Sequence, residues 1–248
     1  MRRLPTLALL FILVPLAACA SSWKDALGAV QQAAQGQAAG NSSLAALSNS
    51  DIAAGLKAAL AQGTRAAVAQ LGRSDGFWGN PAARIPLPKP VRKVESWVRG
   101  AGFGAPVDEF HLSLNRAAEQ AVPVAAEVFA TAVQQLTLND VRGILGGPKD
   151  AATQYFKRTT TDTLTTRFRP LVAKATAQVG VAQRYKQMVS ATGPFAASLG
   201  ASGDLDTYVT QKALDALFVQ VAAEEARIRD NPAARGTELL QRVFGARK

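Results

Sequence analysis

From Ile52 onward apolar residues return every three or four positions, the repeat of a single helical face. Ile52, Leu56, Leu60, Ala67, Val68 and Leu71 make the first stripe, with Ser50 as the expected N-cap, Gly63 as a weak point and Gly72 at the end. Residues 73–89 contain Gly76, Gly79, Pro81, Pro86 and Pro88, which predict a long loop that Phe77 and Trp78 pin to the core. Pro90 suits a first helical residue, and Val91, Val94 and Val98 line one face before Gly100, Gly102 and Gly104 close the segment. From Pro106 to Leu136 two stripes follow one another: Phe110, Leu114, Ala117, Ala118 and Ala121, then Val124, Val128, Phe129, Val133 and Leu136. Pro123 stands between them and predicts a kink or a split.

Thr137 and Asp140 form a T-x-x-D start for a short helix ending at Gly146-Gly147, and Pro148 is expected to open the next, through Tyr155 and Phe156. The threonine-rich stretch Thr159 to Thr166 is a poor intrinsic helix former, yet Leu164, Phe168, Leu171 and Val172 continue the spacing. Pro170 predicts a second kink or junction in a helical stretch running to about Ala191. Residues 192–203 read as a Gly/Ser/Ala loop. Asp204 then caps the best-patterned helix, in which Leu205, Tyr208, Val209, Leu214, Leu217, Phe218, Val221 and Ile228 share a broad face until Asn231-Pro232. Thr237 to Phe244 predicts a last short helix. Period-two alternation between hairpin turns is missing, as is any repeat of solenoid length. The expected fold is all-α: one bundle-like domain of proline-kinked helices over residues 50–248.

The first 49 residues follow another pattern. Met1-Arg2-Arg3 is a positive start, Leu7 to Leu16 is almost wholly apolar, and Ala17-Ala18 are small, the three-part layout of a secretory signal over residues 1–18. That apolar run, interrupted by Pro15, is too short to span a bilayer. Leu16-Ala17-Ala18-Cys19 resembles a lipobox, and Cys19 is the chain's one cysteine, so lipidation at Cys19 is expected. By resemblance to Gram-negative lipoproteins, Ala20 in place of an aspartate implies delivery to the outer membrane, facing the periplasm. The Ala, Gln, Gly, Ser and Asn composition of residues 19–49 predicts a flexible tether, with a short helix possible at Trp23 to Val30.

Composition adds an α-rich prior and a charge. Hydrophobic residues are 48% of the chain and lean on Ala, Leu and Val, which suits close helix packing. The net charge is +10, and residues 1–18 contribute only Arg2 and Arg3 to it. Such an excess favours anionic surfaces, although Lys and Arg are spread evenly, which also fits a solvated basic surface. The partners this allows are the membrane through the N-terminal lipid and a periplasmic protein or anionic envelope polymer; no specific nucleic-acid signal is present.

Several blocks carry a family resemblance: Arg84-Ile85-Pro86-Leu87-Pro88, Asn115-Arg116-Ala117-Ala118-Glu119, Ala151-Ala152-Thr153-Gln154-Tyr155-Phe156, Tyr208-Val209-Thr210-Gln211-Lys212-Ala213-Leu214, Glu224-Glu225-Ala226-Arg227-Ile228-Arg229 and Leu239-Leu240-Gln241-Arg242-Val243-Phe244-Gly245. In this order they resemble the bacterial domain of unknown function 4197 family across roughly residues 50–245, with Leu114 where a methionine is expected. The resemblance implies a helical exported protein, often a lipoprotein, with no assigned activity and so no catalytic residues to carry over.

Candidate chemistry is sparse. His111 is the one histidine and Cys19 is committed to lipid, so zinc sites of the usual kinds lack ligands; no metal and no cofactor are expected. His111, near Asp108, reads as a structural histidine. There is no G-x-S-x-G elbow; Gly100 to Gly104 follows a helix instead of a strand, and Gly146-Gly147-Pro148-Lys149 lacks phosphate-loop spacing. Asn115, Arg116 and Glu119 lie beside an apolar stripe, Asn115 and Glu119 one turn apart. They predict a buried polar network that fixes helix packing, Arg116 pairing with a carboxylate, or alternatively a ligand site. Glu95-Ser96 resembles the start of a lytic transglycosylase motif, and carboxylate-only cleavage of cell-wall glycans is the enzymatic alternative. A carrier of an apolar ligand is a third reading. The favoured one is a non-catalytic binding or envelope-structural module.

Overall fold

Ser48, two residues before the expected cap, starts the first helix. Its hydroxyl accepts from Asp51 N at 3.1 Å while the Asp51 carboxylate accepts from Ser48 N at 3.2 Å, a reciprocal capping box that Ser50 has no acid in register to make. The computed structural model describes residues 48–191 and 204–230, all within one compact unit, Leu47–Lys248. Cys19 and the signal sequence, tether, 192–203 loop and 237–244 helix expected from the sequence lie outside the described residues. The helices are α1 (Asn49–Gly72), α2 (Lys89–Gly100), α3 (Gly104–Ala121), α4 (Ala125–Gln134), α5 (Leu138–Gly146), α6 (Ala151–Gln178), α7 (Val181–Ala191) and α8 (Leu205–Asp230). No strand occurs among the described residues. The fold is all-α.

Pro123 does split its segment. A single 3₁₀ turn, Val122–Val124, joins α3 to α4 with every backbone angle still near the right-handed helical region. Pro170 does not divide α6, contrary to expectation. It lies inside an unbroken helix on the solvent side, where the Thr166 carbonyl that it leaves without a helical donor can turn to water. The threonines do not weaken α6 enough to break it either. The hydroxyls of Thr159, Thr160, Thr161, Thr165 and Thr166 each donate to the carbonyl four residues back. Phe156, Thr160, Leu164, Phe168 and Val172, one turn apart, bury one continuous face. The break comes later, at Gly180, whose φ of +69° interrupts the stretch expected to reach Ala191. Pro148 opens no helix; α6 begins three residues on, at Ala151.

The long helices α6 and α8 pair at the centre, with α1 against α8 and α4, and α3 against α6 and α7. Phe129 of α4 sits edge-on to Phe156 of α6 at 5.3 Å and to Phe218 of α8 at 6.3 Å, so three helices meet through one aromatic cluster. Gly63 is no weak point: a Cβ there would lie 3.0 Å from Cδ1 of Ile228, so the glycine lets α8 approach α1 closely. No single helix among the described residues is long and apolar enough to cross a membrane.

Candidate functional site

The predicted polar residues of α3 do converge, on the chain's own loop. Residues 73–88 leave α1 and run along α3 as an irregular strap, with Phe77, Ile85 and Leu87 buried. The strap's own turns pair some of its backbone groups, Gly76 N with Arg73 O and Arg84 N with Asn80 O among them, and side chains of α3 meet others that are buried. Asn115, wholly buried, supplies two of them. Its Oδ1 accepts from Ile85 N at 2.8 Å and its Nδ2 donates to Ile85 O at 3.2 Å and to His111 O at 2.9 Å. One amide thereby holds both polar groups of one peptide residue, as a neighbouring strand would.

Glu119, one turn further, does the same at the strap's start. Oε1 accepts from Phe77 N at 3.1 Å and Trp78 N at 3.2 Å, and Oε2 accepts from Arg116 Nη1 at 2.7 Å. Arg116 reaches on to Ser74 Oγ and to Asp75 Oδ1, 2.7 Å from its Nη2. Its guanidinium is held above its ordinary value chiefly by the hydrogen bond to Glu119, with Asp75 adding to it. Asp75 needs this grip because its φ of +61° lies in the left-handed region. Gly76 follows because a Cβ there would meet Leu71 O at 2.3 Å.

His111 completes the group. Its ring stands edge-on to Trp78 at 5.0 Å, and Nε2 lies 2.8 Å from Ile85 O; since a carbonyl only accepts, Nε2 carries the proton. Arg84 lies over the Trp78 ring, 4.7 Å from its centre, and donates to Trp78 O at 2.7 Å. Burial, which outweighs the Ile85 hydrogen bond, pushes His111 below its ordinary 6.5. In this range the unfolded chain therefore binds more protons than the folded one, and stability falls as pH drops through the mid-sixes. Denaturant midpoints measured between about pH 7.5 and 5.5 should fall further for wild type than for His111→Gln, which keeps a donor toward Ile85 but cannot titrate.

Sequence reasoning missed a second polar centre. Glu225 of α8, buried, receives Ala152 N on Oε1 at 3.0 Å and both Thr153 N and Thr153 Oγ1 on Oε2 at 2.8 Å. It thus caps the start of α6 from across the fold. The local Asp150 side chain makes no cap and instead accepts from Gln154. Arg229, one turn along α8, donates to Glu225 Oε1 at 2.8 Å and to Ile144 O at 3.1 Å. The available signal was spacing: Phe218, Val221, Glu225 and Ile228 follow steps of three and four, so the carboxylate occupies a position of the apolar stripe. The recess beside it, between Leu60, Gly63, Phe156 and Val221, holds about 10 Å³, room for one water. A wider open recess of about 260 Å³ lies between the first turn of α1 and the length of α5, lined by Ile52, Leu138, Val141 and Leu145.

Glu95 is ion-paired to Arg99 at 3.0 Å, and Arg99 also holds Asp108 at 2.6 Å. That bridge keeps the Asp108 carboxyl below its usual range. Among the described residues, no group of three His, Cys, Asp or Glu side chains is arranged to hold a metal ion.

Four of the six blocks that bear the family resemblance contribute to these centres: Ile85 with Asn115 and Glu119, Ala152 and Thr153 with Glu225 and Arg229. The sequence pattern of a family described as "Protein of unknown function (DUF4197)" matches residues 46–245. The chain belongs to the DUF4197 family. No curated protein and no solved structure matches this DUF4197 chain.

Proposed function

We propose that this DUF4197 protein is an outer-membrane lipoprotein whose helical domain binds a partner or braces the envelope on the periplasmic side, without catalysis. The observation that carries the address is Leu16-Ala17-Ala18-Cys19 after a positive start and an apolar run, with the chain's one cysteine at the position a lipobox requires. The several acyl chains of a lipoprotein hold a membrane firmly, whereas one holds it marginally. Support for a non-catalytic domain comes from how its buried polar groups are used: Asn115 and both oxygens of Glu119 are engaged by backbone or by Arg116. Glu95, the one carboxylate suggested for glycan chemistry, is tied to Arg99 on a short exposed helix.

The deciding experiment is fractionation with metabolic labelling by a palmitate analogue. Wild type should carry the label and sediment with outer membranes, and Cys19→Ser should be unlabelled and lose most of its membrane fraction. Equal sedimentation of the two, with no label on either, would remove the lipoprotein reading. Peptidoglycan fragments released by wild type but not by Glu95→Gln would remove the non-catalytic one.

A further inference from the structure

The helix α2 buries little of itself. Only Val91 and Val98 are fully buried, Val94 is partly so, and α3 is its main neighbour. At 100° per residue, the opposite face carries Lys89, Arg92, Lys93, Ser96 and Trp97. All five are exposed, and Trp97 is 66% exposed, the largest value among the large hydrophobic residues described. Phe103, just past the end of the helix, is 40% exposed. The acids nearby do not neutralise this face, because Glu95 and Asp108 are both taken up by Arg99. Among the described residues, Lys89, Arg92 and Lys93 have no carboxylate within ion-pair distance. An exposed indole on the helix face that carries three such bases, with an exposed phenyl three residues past the helix end, is the composition of a helix that lies in a headgroup layer.

We infer that the outer face of α2, with Lys89, Arg92, Lys93 and Trp97, together with Phe103, is a contact surface for anionic phospholipid. The bases meet lipid phosphates, and the two aromatic rings enter the boundary between headgroups and acyl chains, where indoles concentrate. A soluble acidic polymer or protein segment would satisfy the bases and leave the rings no better covered. The chain's net charge of +10 has the same sign, so long-range attraction acts in the same direction. The inference rests on the proposed membrane address, which brings a bilayer within reach, and it adds an orientation: the domain lies down on α2 instead of hanging free on its tether.

The test uses the full-length protein added to vesicles of phosphatidylcholine alone or with phosphatidylglycerol, acyl chains brominated to quench nearby tryptophan. Wild type should show quenching that grows with phosphatidylglycerol content, and Trp97→Phe should lose the part that grows and keep only the quenching of Trp23 beside the anchor. Each base near an anionic surface strengthens binding about fivefold, so replacing Lys89, Arg92 and Lys93 by glutamine should weaken vesicle binding of the Cys19→Ser form about a hundredfold at low salt. Wild type that stays vesicle-bound while Trp97→Phe changes nothing in the quenching would overturn the surface and leave the anchor standing. Cys19→Ser that binds phosphatidylglycerol vesicles as tightly as wild type, with Trp97 quenched, would uphold the surface and undercut the anchor. Binding of the Cys19→Ser form that is unaffected by phosphatidylglycerol, or abolished by soluble polyglutamate as competitor, would also overturn it.

Discussion

Glu225→Ala is expected to be the most damaging single change in this domain, lowering stability by about 3–5 kcal/mol, the range found when one partner of a buried ion pair is removed. Three donors lose their acceptor at once: Ala152 N, Thr153 N and the Thr153 hydroxyl, all buried. Arg229, whose side chain is only 16% exposed, loses its carboxylate in the same step. The first free N–H groups of α6 are where the helix's positive end is concentrated, so a neutral replacement also forfeits the charge–dipole term. For a domain of this size the expected fall in Tm is roughly 10 °C. Glu225→Gln should recover part of the loss, since one amide oxygen still accepts from α6 while the amide nitrogen faces donors. The consequence should be global, because Glu225 fastens α8 to α6, the central pair of the fold. Thermal unfolding by circular dichroism should show one cooperative transition at lower temperature. Loss under about 1 kcal/mol would mean that water replaces the carboxylate at no great cost, contrary to the burial seen here.

Much of the architecture was legible in the pattern of apolar residues, for a physical reason. Helices held by tertiary packing must show their buried stripe, and stripes such as Ile52 to Leu71 or Leu205 to Val221 can be counted directly. Capping boxes are equally local: Thr137 and Asp140 bond each other's backbone as their spacing predicts, with Thr137 Oγ1 accepting from Asp140 N at 3.1 Å. Failures gathered where the outcome depended on surroundings a sequence does not display. A proline breaks a helix only if its neighbours cannot supply what it removes, and Pro170 and Pro123 both face solvent, yet only Pro123 carries a 3₁₀ turn, a difference their sequence positions do not display. Gly63 reads as a flaw until Ile228 is seen against it.

The candidate site divides along the same line. Asn115, Arg116 and Glu119 could be singled out because polar side chains beside an apolar stripe need partners. Which partners could not be read, since the groups they satisfy belong to Phe77, Trp78 and Ile85, thirty or more residues away. Glu225 escaped notice for a related reason: its acceptors are used by a helix start some seventy residues earlier. In a sequence without secondary-structure partners for a strap, long-range side-chain-to-backbone bonds carry the specificity, and their pairing is visible only in three dimensions.

Glu119→Ala should behave differently from Glu225→Ala, although both remove a buried acceptor from two backbone donors. The cost per buried donor left unsatisfied is about 1–3 kcal/mol, and Phe77 N and Trp78 N are affected, giving about 2–4 kcal/mol once partial access of water to Trp78 is allowed for. Arg116 is not stranded, because Asp75 and Ser74 still hold it and its side chain is 30% exposed. The loss falls on the strap's first half. Its second half keeps Asn115 on Ile85 and the Tyr208 hydroxyl on Pro86 O at 2.7 Å, while Phe77, Ile85 and Leu87 retain their apolar burial. The strap can therefore open at residues 73–80 without dragging the helices apart, and local opening should precede global unfolding. Native-state hydrogen exchange should show protection at Phe77 and Trp78 falling by roughly a hundredfold in Glu119→Ala, with Ile85 and the α6 and α8 cores changed far less. The Asn115→Ala variant should reverse the pattern, exposing Ile85 and sparing Phe77. Uniform loss of protection across α6 and α8 in Glu119→Ala would show instead that strap and bundle unfold as one unit.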